Sequence, residues 1–512
     1  MKLAKKSLNT AQIAIIMVAV TALAKVLGLV RELLLAHFYG AGVIIDSYSM
    51  AQDIPDTVFA TVIQLVGTAF LPIYSRKAEN NGKLEGDRFT SQVYNFLLMA
   101  TAVMIVICIL FPGFFVKLFA PGFSQEAVNL TKYYLRIAVF MLVGHVTITV
   151  FEPYLRYNDS YLLPVIFGFF QSVFVIAFTY ISFLTKPELL IYGVPLGVIL
   201  QGVVLVWFAM KSKGYKYTPS FKYSDSVKEV FVLAMPILFS SLAFRLNSFF
   251  DRMLASGFEA GSISALRYGH LLLGLISAFS YNLIATVAYP KFNKLVAQND
   301  YDGLSKMSGE SIDYSSLLTI PITLGCMLFT TPIVRLIFER GAFDASATAV
   351  TSSVFFWYAL SLPFNGAVLL IGYVFYSLQD IKPTVYCSII SVAVNAVLNF
   401  VLSYFIGVQG LALATTISAI VHMLTLIVWF LKRHPDIRLL SSFKNTIFIT
   451  LGSIISVGAA YIVFKLLGDS ILNFVISVII AIVLYLVAII AFRVITPNMV
   501  KETLNFRNKQ KD

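Results

Sequence analysis

The sequence predicts an all-α polytopic membrane protein of about 14 transmembrane helices, with two six-helix lobes in a parallel pseudo-two-fold repeat and two further C-terminal helices. Three observations predict it. The first is composition: of 512 residues, 58% are hydrophobic and only 12% charged, with a mean hydropathy of +0.83. Soluble domains carry roughly twice that charge, so this chain lacks the polar residues to cover a soluble surface and is too apolar to be disordered. The second is the row of apolar runs, each at least as long as the ~20 residues that cross a bilayer, the early and middle ones long enough to imply tilt or bending. The third is a self-similarity at an offset of about 218 residues.

The apolar runs fall at about 10–36, 44–74, 89–118, 127–155, 161–184, 189–210, 228–256, 262–289, 311–338, 345–377, 384–406, 409–431, 445–466 and 470–492. The boundary near 300–315 is the weakest, because Glu310 and Asp313 interrupt it. The N-terminus, MKLAKKSLNT, runs into an apolar stretch with no small-residue cleavage site, which predicts a retained first span. With the N-terminus inside, 26 of the 38 Lys and Arg fall in inner segments and about six in outer connections. That asymmetry places both termini in the cytoplasm and supports an even number of spans. The basic tail KETLNFRNKQKD is then expected against anionic lipid at the inner surface. The net charge of +12 follows from the same loops and does not call for nucleic acid.

The repeat is read from LLLAHFYGAG at 33–42 against RMLASGFEAG at 252–261, from Pro72 against Pro290, and from Pro164 against Pro383. Six spans per half is an even number, so both halves insert the same way, which is the architecture of alternating access. The predicted divisions are 1–222, 223–435, and 436–512 for the extra spans and tail. No room is left for a sizeable soluble catalytic domain, and a membrane glycosyltransferase or polymerase is disfavoured because the longest loop, near 211–227, is short and basic. The three cysteines all lie in apolar runs, the five histidines are scattered, and neither set has metal-ligand spacing.

Ionisable residues inside spans cost ~2.5–3.5 kcal/mol on insertion scales and normally face a cavity or a partner. Here they concentrate on spans 1, 2, 7 and 8: Lys25, Arg31 and Glu32; Asp46, Asp53 and Asp56; Arg245, Asp251 and Arg252; Arg267 and His270. These spans are equivalent pairs in the two halves, which predicts one polar cavity. Lys25 and Glu32, seven apart, share a helix face; local neutralisation as Lys25–Glu32 and Asp251–Arg252 is the plainer alternative. Five bases against five acids fix no sign of charge, and the acids Glu32, Asp56 and Asp251 could pair bases or bind a coupling Na⁺ or H⁺. Elsewhere, Lys132 and Arg136 are expected to snorkel, His145 and His422 to be hydrogen-bonded core residues, and Asn395 and Asn399 to bond across helices.

Five segments, in order, resemble one family: KVLGLVRELLLAHFYGAGVIIDSYSMAQDIP at 25–55, LFAPGF at 118–123, RLNSFFDRMLASGFEAGSISALRYGHLL at 245–272, IVRLIFERGAFDASAT at 333–348 and FYSLQDIKPTV at 375–385. The chain resembles the MurJ/MviN-type lipid II flippases, a branch of the multidrug/oligosaccharidyl-lipid/polysaccharide exporter superfamily. The resemblance implies a two-lobe transporter, not an enzyme, in the bacterial cytoplasmic membrane. It implies a lipid-linked glycan as cargo, undecaprenyl-pyrophosphate-linked peptidoglycan precursor, with no cofactor. A monomer is expected, with contacts to other cell-wall synthesis proteins left open, as is coupling to Na⁺, H⁺ or the membrane potential. The resemblance further implies that basic residues on spans 1, 2 and 8 meet the pyrophosphate; Lys25 and Arg31 match two such positions and Asp46 a span-2 acid. The candidate substrate-binding set is Lys25, Arg31, Arg267, His270, Asp46, Asp53 and Arg252. Two departures stand out: after IPD at 54–56 the expected basic residue is missing from TVFATV, and His270 stands where span 8 usually has Arg. They keep open an exporter of another polyprenyl-linked oligosaccharide (capsule, exopolysaccharide or O-antigen unit) and, less favoured, a cation-coupled drug exporter.

Overall fold

A computed structural model describes residues 10–220, 225–437, 439 and 443–492; the side chains of 234–246, Arg245 among them, and the basic C-terminal tail lie outside that description. Among the described residues the chain is helical without a strand. It divides into two compact units, residues 1–264 with 340–344, and residues 265–339 with 345–512.

The first unit opens with α1 (Thr10–Tyr39), 30 residues or about 45 Å of helix. Gly40 stops it at φ +65°, the left-handed conformation that glycine adopts without a Cβ penalty. Then come α2 (Val43–Pro55), a π-turn at Asp56–Ala60 and α3 (Thr61–Asn81). Pro55 has no N–H to give and crowds the preceding turn, and the wider π-turn directly after it is the local accommodation. The unit continues through α4 (Lys83–Leu110), α5 (Pro112–Phe119), α6 (Gln125–Ala138), α7 (Met141–Tyr157), α8 (Leu162–Phe167), α9 (Phe169–Leu184), a 3₁₀ turn at Pro187–Tyr192, α10 (Gly193–Lys213) and α11 (Asp225–Ala255).

The second unit repeats this order from the counterpart of α2 onward. It holds α12 (Ser262–Phe279, whose first turn belongs to the first unit), α13 (Tyr281–Ala297), α14 (Tyr301–Leu328), α15 (Thr330–Phe338), α16 (Ala345–Leu360), α17 (Leu362–Ser377), α18 (Lys382–Ile406) and α19 (Val408–Arg433). α20 (Phe443–Leu467) and α21 (Ile471–Ala491) close it. A 28-residue helix, a short helix and two helices of one broken span recur as α4–α7 and as α14–α17. The repeat seen in the sequence is therefore a repeat of helices.

Eleven helical stretches among the described residues are long and apolar enough to cross a membrane, matching the expected spans 3–6 and 8–14. The expected spans 1, 2 and 7 are helical as α1, α2–α3 and α11. Several boundaries move. Span 9 was expected from 311, yet α14 starts at Tyr301, because the Asp300 carboxylate caps it by accepting from the Gly303 N–H at 2.8 Å. Glu310 and Asp313 thus sit within a helix, and Asp313 accepts from the Asn445 amide at 2.8 Å. Only 11% of the most apolar window of α21 is buried although that helix is apolar all round, which assigns its surface to lipid. Asn399 donates to Asn395 at 2.7 Å, and Asn395 reaches Thr415 of α19 at 3.4 Å, so this pair bonds across helices as expected.

One polar structure went unread in the sequence. Asp87, Ser91 and Asn95 lie four apart on α4 and are all buried. They hold the segment 214–220: Asp87 accepts from the Lys216 N–H at 3.2 Å, Ser91 from the Thr218 N–H at 3.1 Å, and the Asn95 amide donates to the Ser220 carbonyl at 3.1 Å. Tyr154 donates to Asp87 at 3.0 Å, and burial pushes the Tyr215 hydroxyl well above its ordinary pKa. The connection after α10 is thereby strapped to the first unit.

Candidate functional site

Within α1, α2 and α11, Arg31 pairs with Glu32 and Asp53 with Arg252. On α1, Arg31 donates through Nε (3.2 Å) and Nη2 (2.9 Å) to Glu32 Oε1. Glu32 is 4% exposed, whereas the Arg31 side chain keeps 24% of its surface. Adjacent helix residues point about 100° apart, so this contact requires the long Arg side chain to curl round the helix. The alternative pairing Lys25–Glu32 is not formed. Lys25 is exposed and, among the described residues, has no ion-pair partner. Gly28, on the next turn, has no atom within 4 Å of where a Cβ would stand, so the helix surface beside Lys25 is open.

On α2, three acids meet three different environments. Asp46 is 4% exposed and accepts from the Gly261 N–H (2.7 Å), the Ser264 N–H (2.7 Å) and the Ser264 hydroxyl (2.5 Å). It fixes the segment that leads into α12 and supplies a negative charge at a helix N-terminus, where backbone N–H groups point outward. Asp53 forms an ion pair with Arg252 of α11, in place of the Asp251–Arg252 neutralisation weighed above. Asp56, at the start of the π-turn, lies 3.6 Å from Nε2 of His145 on α7. His145 is the site residue that sequence reasoning placed in the core. Its signal was faint: a lone histidine in an apolar run, with an acid only in the fold. Asp251 is half-buried.

In the second unit, Arg267 is half-buried and His270 exposed on α12, and the His270 ring meets Tyr358 edge-on at 5.9 Å between centroids. Lys25, Arg31, Asp53, Asp56 and Arg252 thus belong to the first unit and Arg267 and His270 to the second. No group of three or more His, Cys, Asp or Glu able to hold a metal occurs among the described residues.

Glycines explain two of the five sequence segments. Gly122 of LFAPGF lies so close to the backbone of Gly257 that a Cβ would stand 2.4 Å from its Cα. Gly341 of ERGAF has φ +63°, and a Cβ there would stand 2.3 Å from the His37 carbonyl oxygen, which accepts from the Ala342 N–H at 2.8 Å. Gly341→Ala is expected to cost about 2–4 kcal/mol, from left-handed strain and backbone overlap together. Thermal unfolding followed by size-exclusion in detergent checks this, with Gly274→Ala as the control, since open space surrounds Gly274. Equal melting of the two variants would refute the close approach.

A family model described as lipid II flippase MurJ matches residues 35–485. A probable lipid II flippase MurJ of Synechocystis is 28% identical over 450 residues, covering 84% of this chain and 83% of the relative. A lipid II flippase MurJ of Thermosipho africanus is 25% identical over 478 residues, covering 91% and 93%. Among solved structures, a lipid II flippase MurJ in an inward closed conformation is similar with a TM-score of 0.81 at 25% identity, covering 94% of this chain and 99% of that one. An inward-facing multidrug resistance transporter of the MATE family shares the fold, with a TM-score of 0.68 at 14% identity.

Proposed function

Because the chain belongs to the lipid II flippase MurJ family, we propose that it carries lipid II across the bacterial cytoplasmic membrane by alternating access, without covalent chemistry. The observation that carries this reading is the family match over 451 consecutive positions, residues 35–485, together with the helical repeat. The reading takes the cargo's pyrophosphate to be met by cations on helices, because paired, charge-assisted donors are what a diphosphate needs. Lys25 is the first of these, being exposed and without an ion-pair partner among the described residues, and Arg31 the second, held in place by Glu32. Arg267 and His270 remain candidates on α12. Asp53 and Arg252 are assigned to each other, and Asp46 to the segment 261–264. The isoprenoid tail stays in lipid throughout.

The two access states are driven apart by differential binding of cargo. Coupling to Na⁺, H⁺ or the membrane potential is part of the proposal, with Glu32, Asp56 and Asp251 as the acids available to it. The termini are placed in the cytoplasm by the Lys and Arg distribution. A second reading, export of another polyprenyl-linked glycan, is favoured by the missing basic residue after Ile54-Pro55-Asp56 and by His270, a weaker cation than Arg near neutral pH.

The test is complementation. The host's own lipid II flippase is shut off, this chain is supplied, and lipid II on the outer face is measured by cleavage with an externally added degrading enzyme. Restored cleavage is expected. Inner-leaflet accumulation with this protein verified in the membrane would transfer the assignment to another lipid-linked glycan.

A further inference from the structure

The second unit carries a cavity that the charged residues above do not touch. It has a volume of about 620 Å³ and opens between the end of α14, α15, α16 and the start of α19. That volume lies within the ~300–1,000 Å³ of ordinary ligand sites. Its walls hold an unusual set of groups for a protein so poor in charge. Arg335 and Glu339 stand on one side, Thr348 and Ser352 on another, and Trp357 and Gln409 at the end of α16 and the start of α19.

Two features of these groups point to a ligand. The first is unmet hydrogen bonding. Thr348 and Ser352, 2% and 5% exposed, are four residues apart on one face of α16, and neither hydroxyl has a hydrogen-bond partner among the described residues. Buried hydroxyls in helices normally donate back to a carbonyl one turn earlier. The neighbouring Ser353 does so, to the Val350 carbonyl at 2.7 Å, and Thr330, at the start of α15, does so to Cys326 at 2.7 Å. Glu339 Oε2 likewise accepts no hydrogen bond, although Arg335 Nε lies 3.5 Å away. Buried polar atoms left in this way are exceptions that call for a partner.

The second feature is charge. Arg335 donates to Asp469 at 2.6 Å and faces Glu339 as well, so its guanidinium already has two carboxylates. An incoming phosphate would meet those carboxylates first. A ligand must instead bring donors to Glu339, exchange hydrogen bonds with hydroxyls and an amide, and present a C–H face to an indole. A neutral, polyhydroxylated ring does all three, with the ring stacked on the aromatic wall.

We propose that this cavity is a binding site for a neutral sugar unit, one that holds the glycan part of the cargo apart from its pyrophosphate. The proposal rests on the reading that the cargo is a lipid-linked glycan. It identifies Thr348, Ser352 and Glu339 as the groups that recognise the sugar and Trp357 as its platform.

The chain has three tryptophans, Trp207, Trp357 and Trp429, so the full-length Trp207→Phe/Trp429→Phe variant reports on Trp357 alone. It is titrated in detergent with N,N′-diacetylchitobiose, a soluble neutral disaccharide. A saturable change in Trp357 emission is expected. Thr348→Val/Ser352→Ala is expected to weaken it at least about tenfold, the loss of one good hydrogen bond's free energy, and Glu339→Gln is expected to weaken it too. The melting temperature of Thr348→Val/Ser352→Ala without sugar is expected to stay the same or rise, which a merely structural role would not produce. Should the tryptophan variant not fold, saturation-transfer NMR on the sugar protons with the otherwise unaltered chain reads the same binding. No saturable signal up to the sugar's solubility limit, or one indifferent to these substitutions, overturns the site. So does quenching of Trp357 by brominated phosphatidylglycerol in nanodiscs without any response to sugar, which would make the cavity a lipid groove. Restored lipid II exposure without sugar binding would fail this site alone. Sugar binding without restored exposure would fail only the choice of lipid II as cargo.

Discussion

Lys25→Ala is expected to lower lipid II exposure at the outer face at least about tenfold, without lowering the melting temperature of the purified protein. The rate follows from the charge. A hydrogen bond to a charged group contributes roughly 1.5–3 kcal/mol, which is about 10- to 150-fold when the bond is made only as cargo is bound or moved. Unchanged stability follows from the surroundings. Lys25 is exposed, has no ion-pair partner among the described residues, and stands beside the open surface at Gly28, so its removal leaves no buried group unmet. Lys25→Arg is expected to keep most of the activity. An inactive Lys25→Arg protein, folded and in the membrane, would show that the shape of the cation decides there; a fully active Lys25→Ala protein would remove Lys25 from the site.

Arg31 needs a different design. From sequence alone, Arg31→Ala reads as a pure loss of a cargo contact. In the structure it also removes the guanidinium that pairs with Glu32, which is 4% exposed, and breaking a buried ion pair by deleting one member is costly. The single substitution is therefore expected to lower both transport and stability. Arg31→Ala/Glu32→Gln is expected to regain the stability and not the transport. Recovery of both in the double variant would assign Arg31 to Glu32 alone.

The contrast between these two residues marks how far the sequence could be read. Span positions, the repeat and the concentration of charge on spans 1, 2, 7 and 8 came from hydropathy and spacing, which are properties of the chain itself. Pairing is not such a property. Glu32 was offered Lys25 by helix periodicity and took Arg31; Arg252 was offered Asp251 by adjacency and took Asp53 from another helix. Asp87 lies just before the apolar run at 89–118, and its role needed Lys216, 129 positions away. In an apolar medium a charge is satisfied by whatever the fold brings within reach, and that distance is set by packing. Family segments fared better, because Gly122 and Gly341 are required by backbone approaches that no other residue fits.

Asp46→Ala is expected to increase hydrogen exchange at the Gly261 and Ser264 amides by about 10- to 150-fold, the factor that corresponds to losing charge-assisted hydrogen bonds of roughly 1.5–3 kcal/mol. Both amides donate to this one carboxylate at 2.7 Å, and the Ser264 hydroxyl donates to it as well. The contact joins residues 218 apart, the offset of the sequence repeat, so the first turn of α2 holds the first turn of its own counterpart, α12. Gly261 has φ +96°, and a Cβ there would lie 2.8 Å from the Ala41 carbonyl oxygen, so the segment has little freedom to find another acceptor. Asp46→Asn separates charge from shape: the amide oxygen can accept one N–H, while its NH₂ would face the other donor. Exchange in Asp46→Asn should therefore fall between that of the original chain and Asp46→Ala. The resemblance that placed Asp46 among cargo-binding residues makes the opposite forecast, a loss of transport with the two amides as protected as before. Peptide-level exchange over 255–266, measured without cargo, decides between an acid that holds the protein and one that holds its substrate.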